Sequence, residues 1–269
     1  MILFLTAFDA EARPLIDRFR LKRQPDQGFH VYAGDDAWLV VSGPGKASAA
    51  AATAHLHGRA GFPENAAWIN IGIAGHRDLA QGETRLVHKL TDGATGRNWY
   101  PAITVHAPWD SLALVTLDRP DTEYAHDALV DMEASGFMET ALRFSTGELV
   151  HCVKVVSDNC DNPAAIPKAP QVHAWIGPQM DAVERFAGML LELAGILAPP
   201  AALLENIERL TAAMHVTTSQ RNRLRHQLQQ WHALHGDAPL PDEVGAAQNA
   251  RTLLESLQAA LDAAQLELA

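Results

Sequence analysis

The stretch Trp68-Ile69-Asn70-Ile71-Gly72-Ile73-Ala74-Gly75 decides how this chain folds. Its run Trp68–Ile73 is short and apolar, rich in isoleucine, and reads as a strand buried on both faces. The stretch ends in small residues before Leu79, with Gly82-Glu83 following. Glycines there serve close packing at a chain crossing or the approach of backbone to a ligand. Similar runs recur on both sides: Ile2–Phe8, Phe29–Ala33, Trp38–Ser42, Thr84–Leu90, Leu112–Leu117, Ala128–Met132 and Val150–Val156 all read as strands. Between them, Ala10–Phe19, Lys46–Arg59 and Ala134–Phe144 read as helices, and Trp175–Leu197 as one longer helix. Strands interleaved with helices predict an α/β domain, a three-layer sandwich with a mixed central sheet flanked by helices.

The pattern changes at Ala198-Pro199-Pro200, beyond which no strand is expected. Ala201–His215 has helical spacing, and Thr217-Thr218-Ser219 offers caps for a helix reaching Leu234 and closed by Gly236. Pro241-Asp242-Glu243 opens a last helix, with acidic residues in its first turn. The expected organisation is a catalytic domain over 1–198 and an all-helical appendage over 201–269. The apolar stripe Leu253, Leu254, Leu257, Leu261 is expected to pack on the domain or on a partner chain.

With 269 residues, 48% of them hydrophobic and 20% charged, the chain can bury a sizeable core. Its net charge of −11 disfavours a nucleic-acid backbone or an anionic membrane as partner. Apolar runs are broken by charge within about ten residues, too soon to span a bilayer. The start, Met1 to Pro14, has no basic segment ahead of its apolar residues and does not read as a signal peptide. Cys152 and Cys160 make no disulfide framework and fit a reducing compartment, so a cytoplasmic protein is expected.

Chemistry is concentrated where predicted strands end, which is where open α/β sheets bind ligands. Ala7-Phe8-Asp9-Ala10-Glu11 runs from strand to helix and places Glu11 in a first turn, where a helix dipole favours a carboxylate. Ser42-Gly43-Pro44-Gly45-Lys46-Ala47-Ser48 is a glycine turn of the kind that lets N–H groups approach a ligand, though its spacing is neither a P-loop nor a complete dinucleotide fingerprint. Val130-Asp131-Met132-Glu133-Ala134 carries a strand into a helix with two carboxylates flanking a methionine. Lys154-Val155-Val156-Ser157-Asp158-Asn159 ends a strand on an acid with apolar neighbours. Such an acid is costly unless hydrogen-bonded or protonated, and Asp158 is a candidate general acid.

Taken in order, the glycine turn, the INIGIAG strand, the VDMEA helix entry and the SDN strand end resemble the nucleoside phosphorylase superfamily over roughly residues 1 to 197. They look most like its hydrolytic branch, the methylthioadenosine/S-adenosylhomocysteine nucleosidases. The resemblance implies a partly barrel-like sheet, a homodimer, a purine nucleoside as substrate and no metal or organic cofactor. It implies that Asp158 protonates the leaving base at N7. Glu133 would bridge the sugar 2′- and 3′-hydroxyls, with the Met132 thioether under the ring. Glu11 would orient and deprotonate the attacking water, with Lys154 beside it. Asp131, Gly75 and Ser157 would also lie at the substrate. The chain departs from the nucleosidase pattern in three places. Lys154 stands where they carry an arginine, Ile73 where a serine helps hold the water, and Pro44 where an aliphatic residue lies near the 5′ group. Leu117 to Ala128, which should stack on the base, is short. Tyr124 is a candidate stacker or a surface residue.

Other features point to no chemistry. His55 and His57 sit two apart on a helix, where their rings diverge, and His151, Cys152 and Cys160 lack zinc spacing. Arg221 to His226 reads as a solvated helix face, and Thr95 to Pro101 as a loop packing on itself, with a lid as the alternative. Hydrolysis of a purine nucleoside or a 5′-modified purine nucleoside is the leading expectation. A phosphorylase would need cations converging on phosphate, and Glu11 would repel that anion. A non-catalytic nucleoside-binding or scaffold protein is the rival of another class, favoured by Ile73.

Overall fold

A nine-residue strand, Ala67–Gly75 (β5), is long enough to change partners along one edge, and that change shapes the molecule. The computed structural model describes residues 1–163, 167–198, 200–236 and 238–267. Its other strands are Ile2–Thr6 (β1), Lys22–Arg23 (β2), His30–Ala33 (β3), Ala37–Val41 (β4), Thr84–Asp92 (β6), Asn98–Trp99 (β7), Ser111–Thr116 (β8), Leu129–Asp131 (β9) and Val150–Asp158 (β10). Low down, β5 lies parallel to β1, with Ile2 opposite Ala67 and Leu5 opposite Asn70. At its end it pairs instead with β9, antiparallel, Gly75 opposite Val130. Its other edge carries β10 from Trp68 to Gly75. Pairing then runs β10-β6-β8-β9-β5 and returns to β10, so these five strands close a small barrel, from which β1, β4, β3 and β2 extend as an open sheet. Closure leaves these five strands no free edge between them, as in other small barrels.

Apolar side chains point both ways from this sheet. On one face Leu3, Leu5, Val40, Trp68 and Val150 pack with Leu56 of helix Lys46–Arg59 (α2) and Phe137 of helix Ala134–Ala141 (α3). On the other, Phe4, Leu39, Ile69 and Ile71 pack with Leu15 of Asp9–Arg18 (α1), Val172 of Ala169–Ile176 (α4) and Phe186 of Met180–Ile196 (α5). The result is the expected three-layer α/β arrangement with a mixed, partly barrel-like sheet. The single helix expected over Trp175–Leu197 is two, because Gly177-Pro178 forms a tight 3-10 turn between α4 and α5. A proline inside a helix loses one backbone hydrogen bond and crowds the preceding turn. The short strands β2 and β7 were not expected. β7 folds back on β6, and Arg97 lies 4.9 Å over the Trp99 ring while pairing with Glu139 at 2.7 Å. The Thr95–Pro101 segment therefore packs on its own surroundings.

The chain divides into two compact units, Met1–Leu197 and Ala198–Ala269. The second comprises helices Ala201–Thr211 (α6), Thr218–His235 (α7), Asp242–Gly245 (α8) and Ala250–Glu267 (α9). Thr217 caps α7 by accepting the Gln220 N–H, and Gly236 ends it at φ +61°. Leu253, Leu254 and Leu257 of α9 pack against Leu203, Ile207, Leu224 and Leu228 within this unit. These members of the stripe thus serve the unit's own core, which corrects the expectation that they cover another surface. Among the described residues, no helix is long and apolar enough to cross a membrane.

Candidate active site

Where β5 exchanges β1 for β9, its backbone would be left unpaired, and Glu11 fills the gap. Its Oε1 accepts the Ile73 N–H at 2.9 Å, and its Oε2 accepts those of Ala7 and Phe8 at 2.7 and 2.9 Å. The residue sits in the first turn of α1 and is only 1% exposed. Burial pushes its carboxyl above the ordinary value, opposed by these N–H donors and by Lys154. Gly72 makes the room, since a Cβ there would stand 2.9 Å from Glu11 Oε1 and 3.5 Å from Lys154 Nζ.

Lys154, on β10 and also 1% exposed, gives its charge to Asp131 at 2.9 Å. Burial alone would lower its pKa, but Asp131, with Cys152 and Glu133, holds it above the usual lysine value. Asp131 is further held by the Thr116 hydroxyl at 2.7 Å and the Ala134 N–H at 2.9 Å. Two residues on, Glu133 accepts the Gly45 N–H at 2.8 Å, which ties the glycine turn to the start of α3. Burial first, then the nearby Asp131 carboxylate, raise Glu133 to about 7. Three buried carboxylates thus share one buried lysine.

Asp158 ends β10 after an irregularity in its pairing with β5. It lies over Gly75, where a Cβ would come within 2.7 Å of its Oδ2. The two glycines of the β5 motif therefore each make room for a carboxylate. Ser157 donates its hydroxyl to Asp158 Oδ1, and the Tyr124 phenol donates to Oδ2 at 2.9 Å. The cost of placing an acid here is met by hydrogen bonds. Tyr124 is 7% exposed with its hydroxyl on the acid, which corrects the expectation of a surface residue.

A cavity of about 290 Å³ runs between these groups. Asp158, Ser157, Gly75, Asp131, Met132 and Glu133 line it, and Phe8, Pro44, Ile73 and Pro167 add apolar wall. Of the residues singled out from the sequence, Asp158, Ser157, Gly75, Met132, Glu133 and Asp131 meet at this cavity. The Asp131 carboxylate, however, is engaged internally, and neither Glu11 nor Lys154 lines the wall. Ile73 does line it, while its N–H binds Glu11. Direct contact of Glu11 and Lys154 with an attacking water is therefore not what this geometry offers. Sequence reasoning missed Arg119, Pro120 and Asp121, which line the cavity from the loop that carries Tyr124. The Pro120-Asp121 pair at a turn was the available signal. Arg119 is the only lysine or arginine among the described lining residues.

No protein-family model matches the chain, and no curated protein does. Among solved structures it is similar to the 5′-methylthioadenosine nucleosidase of Arabidopsis thaliana, at 20% identity and a TM-score of 0.54, covering 72% of this chain and 95% of that one. It is also similar to a 5′-methylthioadenosine/S-adenosylhomocysteine nucleosidase of Colwellia psychrerythraea in complex with adenine, at 17% identity and TM-score 0.54, over 70% and 93% of the two chains. A futalosine hydrolase mutant from Helicobacter pylori shares 12% identity with a TM-score of 0.51, over 70% and 98%. The chain therefore has the fold of these nucleosidases and of the futalosine hydrolase.

Proposed function

We propose that this chain hydrolyses the N-glycosidic bond of a purine nucleoside or a 5′-modified purine nucleoside, releasing free base and sugar. The observation that carries the proposal is a single cavity lined by both a hydroxyl-held acid, Asp158, and a second carboxylate, Glu133. Asp158 delivers a proton to the base, so that the base leaves neutral. Glu133 binds the sugar hydroxyls, and its negative charge favours the cationic sugar that forms as the bond breaks. Asp131 at the wall and Glu11 behind it add negative charge that Lys154 and the lining Arg119 only partly offset, a setting unfavourable to a phosphate dianion and neutral toward water. Lys154 keeps Asp131 in place. On resemblance alone, we take the enzyme to be a cytoplasmic homodimer that uses no metal or organic cofactor.

Incubation with adenosine, inosine, guanosine and 5′-methylthioadenosine, followed by chromatography, tests the reading. Release of free base from at least one is expected. Affinity for a nucleoside with no base release from any would favour the rival, a binding protein, for which the position of Ile73 is the specific support.

A further inference from the structure

The segment joining β8 to β9, residues 117–128, has no regular secondary structure, yet it is built around one side chain. Asp121 Oδ1 accepts the N–H groups of Glu123 and Tyr124 at 3.0 and 3.2 Å, which bends the chain inward. Tyr124 then adopts φ +50°, a left-handed conformation that a bulky residue rarely takes unless its surroundings impose it. Its ring is buried and its hydroxyl ends 2.9 Å from Asp158 Oδ2. The same loop lines the cavity with Arg119, Pro120 and Asp121.

We propose that Tyr124 is the positioning residue for leaving-group protonation, its phenol orienting Asp158 and stabilising the carboxylate that forms as the proton leaves. This rests on the N-glycosidic reading above. As the C1′–N9 bond breaks, its electron pair goes to the base, and the proton on Asp158 passes to N7. Asp158 becomes a carboxylate, and the Tyr124 O–H bond to it strengthens because the acceptor has gained charge. Water adds to C1′, and the proton it releases restores Asp158. Ser157 supports the opposite oxygen.

The test compares two leaving groups. Tyr124→Phe keeps the buried ring and removes only the hydroxyl. On a purine nucleoside it should lower kcat by about tenfold to hundredfold, the span for losing one hydrogen bond to a charged group, with KM within about twofold. On 4-nitrophenyl β-D-ribofuranoside, whose phenolate leaves without a proton, the same variant should keep its turnover. Equal losses on both substrates would reveal a merely structural role and overturn the proposal, as would an unchanged purine kcat. Asp158→Asn, assayed in parallel, separates the two claims. If it retains full purine turnover, the acid itself is misassigned and Tyr124 with it. If it is inactive while Tyr124→Phe is normal, the Tyr124 proposal alone fails.

Discussion

Asp158 and Glu11 are both carboxylates tucked against glycines of one strand, yet their surroundings differ in kind. Asp158 is only partly buried, lines the cavity, and is held by two side-chain hydroxyls. Glu11 is fully buried, lies behind Ile73, and is held by three backbone N–H groups at the fork of the sheet. Hydroxyls can re-aim as a ligand arrives, whereas N–H groups of the main chain cannot. The first arrangement suits a group that exchanges protons with a ligand, and the second suits a group that closes a gap in the fold. Environment rather than residue type separates such roles.

The largest effect expected is at the cavity. Asp158→Asn should cut turnover by about 10²–10⁴-fold while largely sparing binding, because an amide can hydrogen-bond N7 but not protonate it. Steady-state kinetics check this, and near-normal turnover would erase the contrast with Glu11.

Glu133→Gln should lower kcat by about tenfold to hundredfold with a smaller change in KM, since its charge matters most as the sugar turns cationic. With Glu133 raised to about 7, the ionised form is lost as pH falls through that value, and activity should fall with it. Stability runs the other way. The native form holds this proton more tightly than the unfolded chain, so Glu133 contributes stability that is full below pH 4.5 and lost as pH rises through 7. Tm measurements at pH 5 and pH 8 should therefore show Glu133→Gln gaining on the unsubstituted chain at the higher pH, by on the order of 3 kcal/mol at most. A pH-independent difference would mean that Glu133 is ionised throughout.

Adding one methyl group at each glycine sharpens the comparison directly. Gly72→Ala presses on a buried carboxylate with no room to move and should destabilise the fold by about 1–3 kcal/mol, read from denaturant melts. Gly75→Ala presses on Asp158, which can swing toward the cavity, so kcat should fall more than stability. Reversed outcomes would exchange the two assignments. The smallest effect is expected for Ile73→Ser. A hydroxyl on the wall in front of Glu11 should raise kcat by at most about tenfold, the worth of one hydrogen bond.

Much of the fold was legible because local signals carry it. The expected runs Ile2–Phe8 and Val150–Val156 correspond to the strands Ile2–Thr6 and Val150–Asp158 for reasons local to a few residues, and Asp131, Glu133 and Asp158 do gather at one cavity, although Glu11 stays behind its wall. Long-range closure was not legible. Ile73 and Glu11 lie 62 positions apart, and Gly45 and Glu133 lie 88 apart, so no periodicity announces either hydrogen bond. The burial of Tyr124 against Asp158 escaped for a related reason. It depends on a left-handed turn in an irregular loop, where no apolar pattern marks the inside. The break at Gly177-Pro178 was visible as a dipeptide but was overridden by helical spacing that continues on both sides.

The central claim is that this cavity uses water and not phosphate to cleave the bond, and the fate of the sugar tests it most directly. A purine nucleoside should be converted in phosphate buffer, and in a buffer without it, with the sugar product examined by mass spectrometry. The account predicts equal rates in the two buffers, with free base and unphosphorylated sugar in equal amounts. Ribose 1-phosphate as the main product, formed only when phosphate is present, would contradict it.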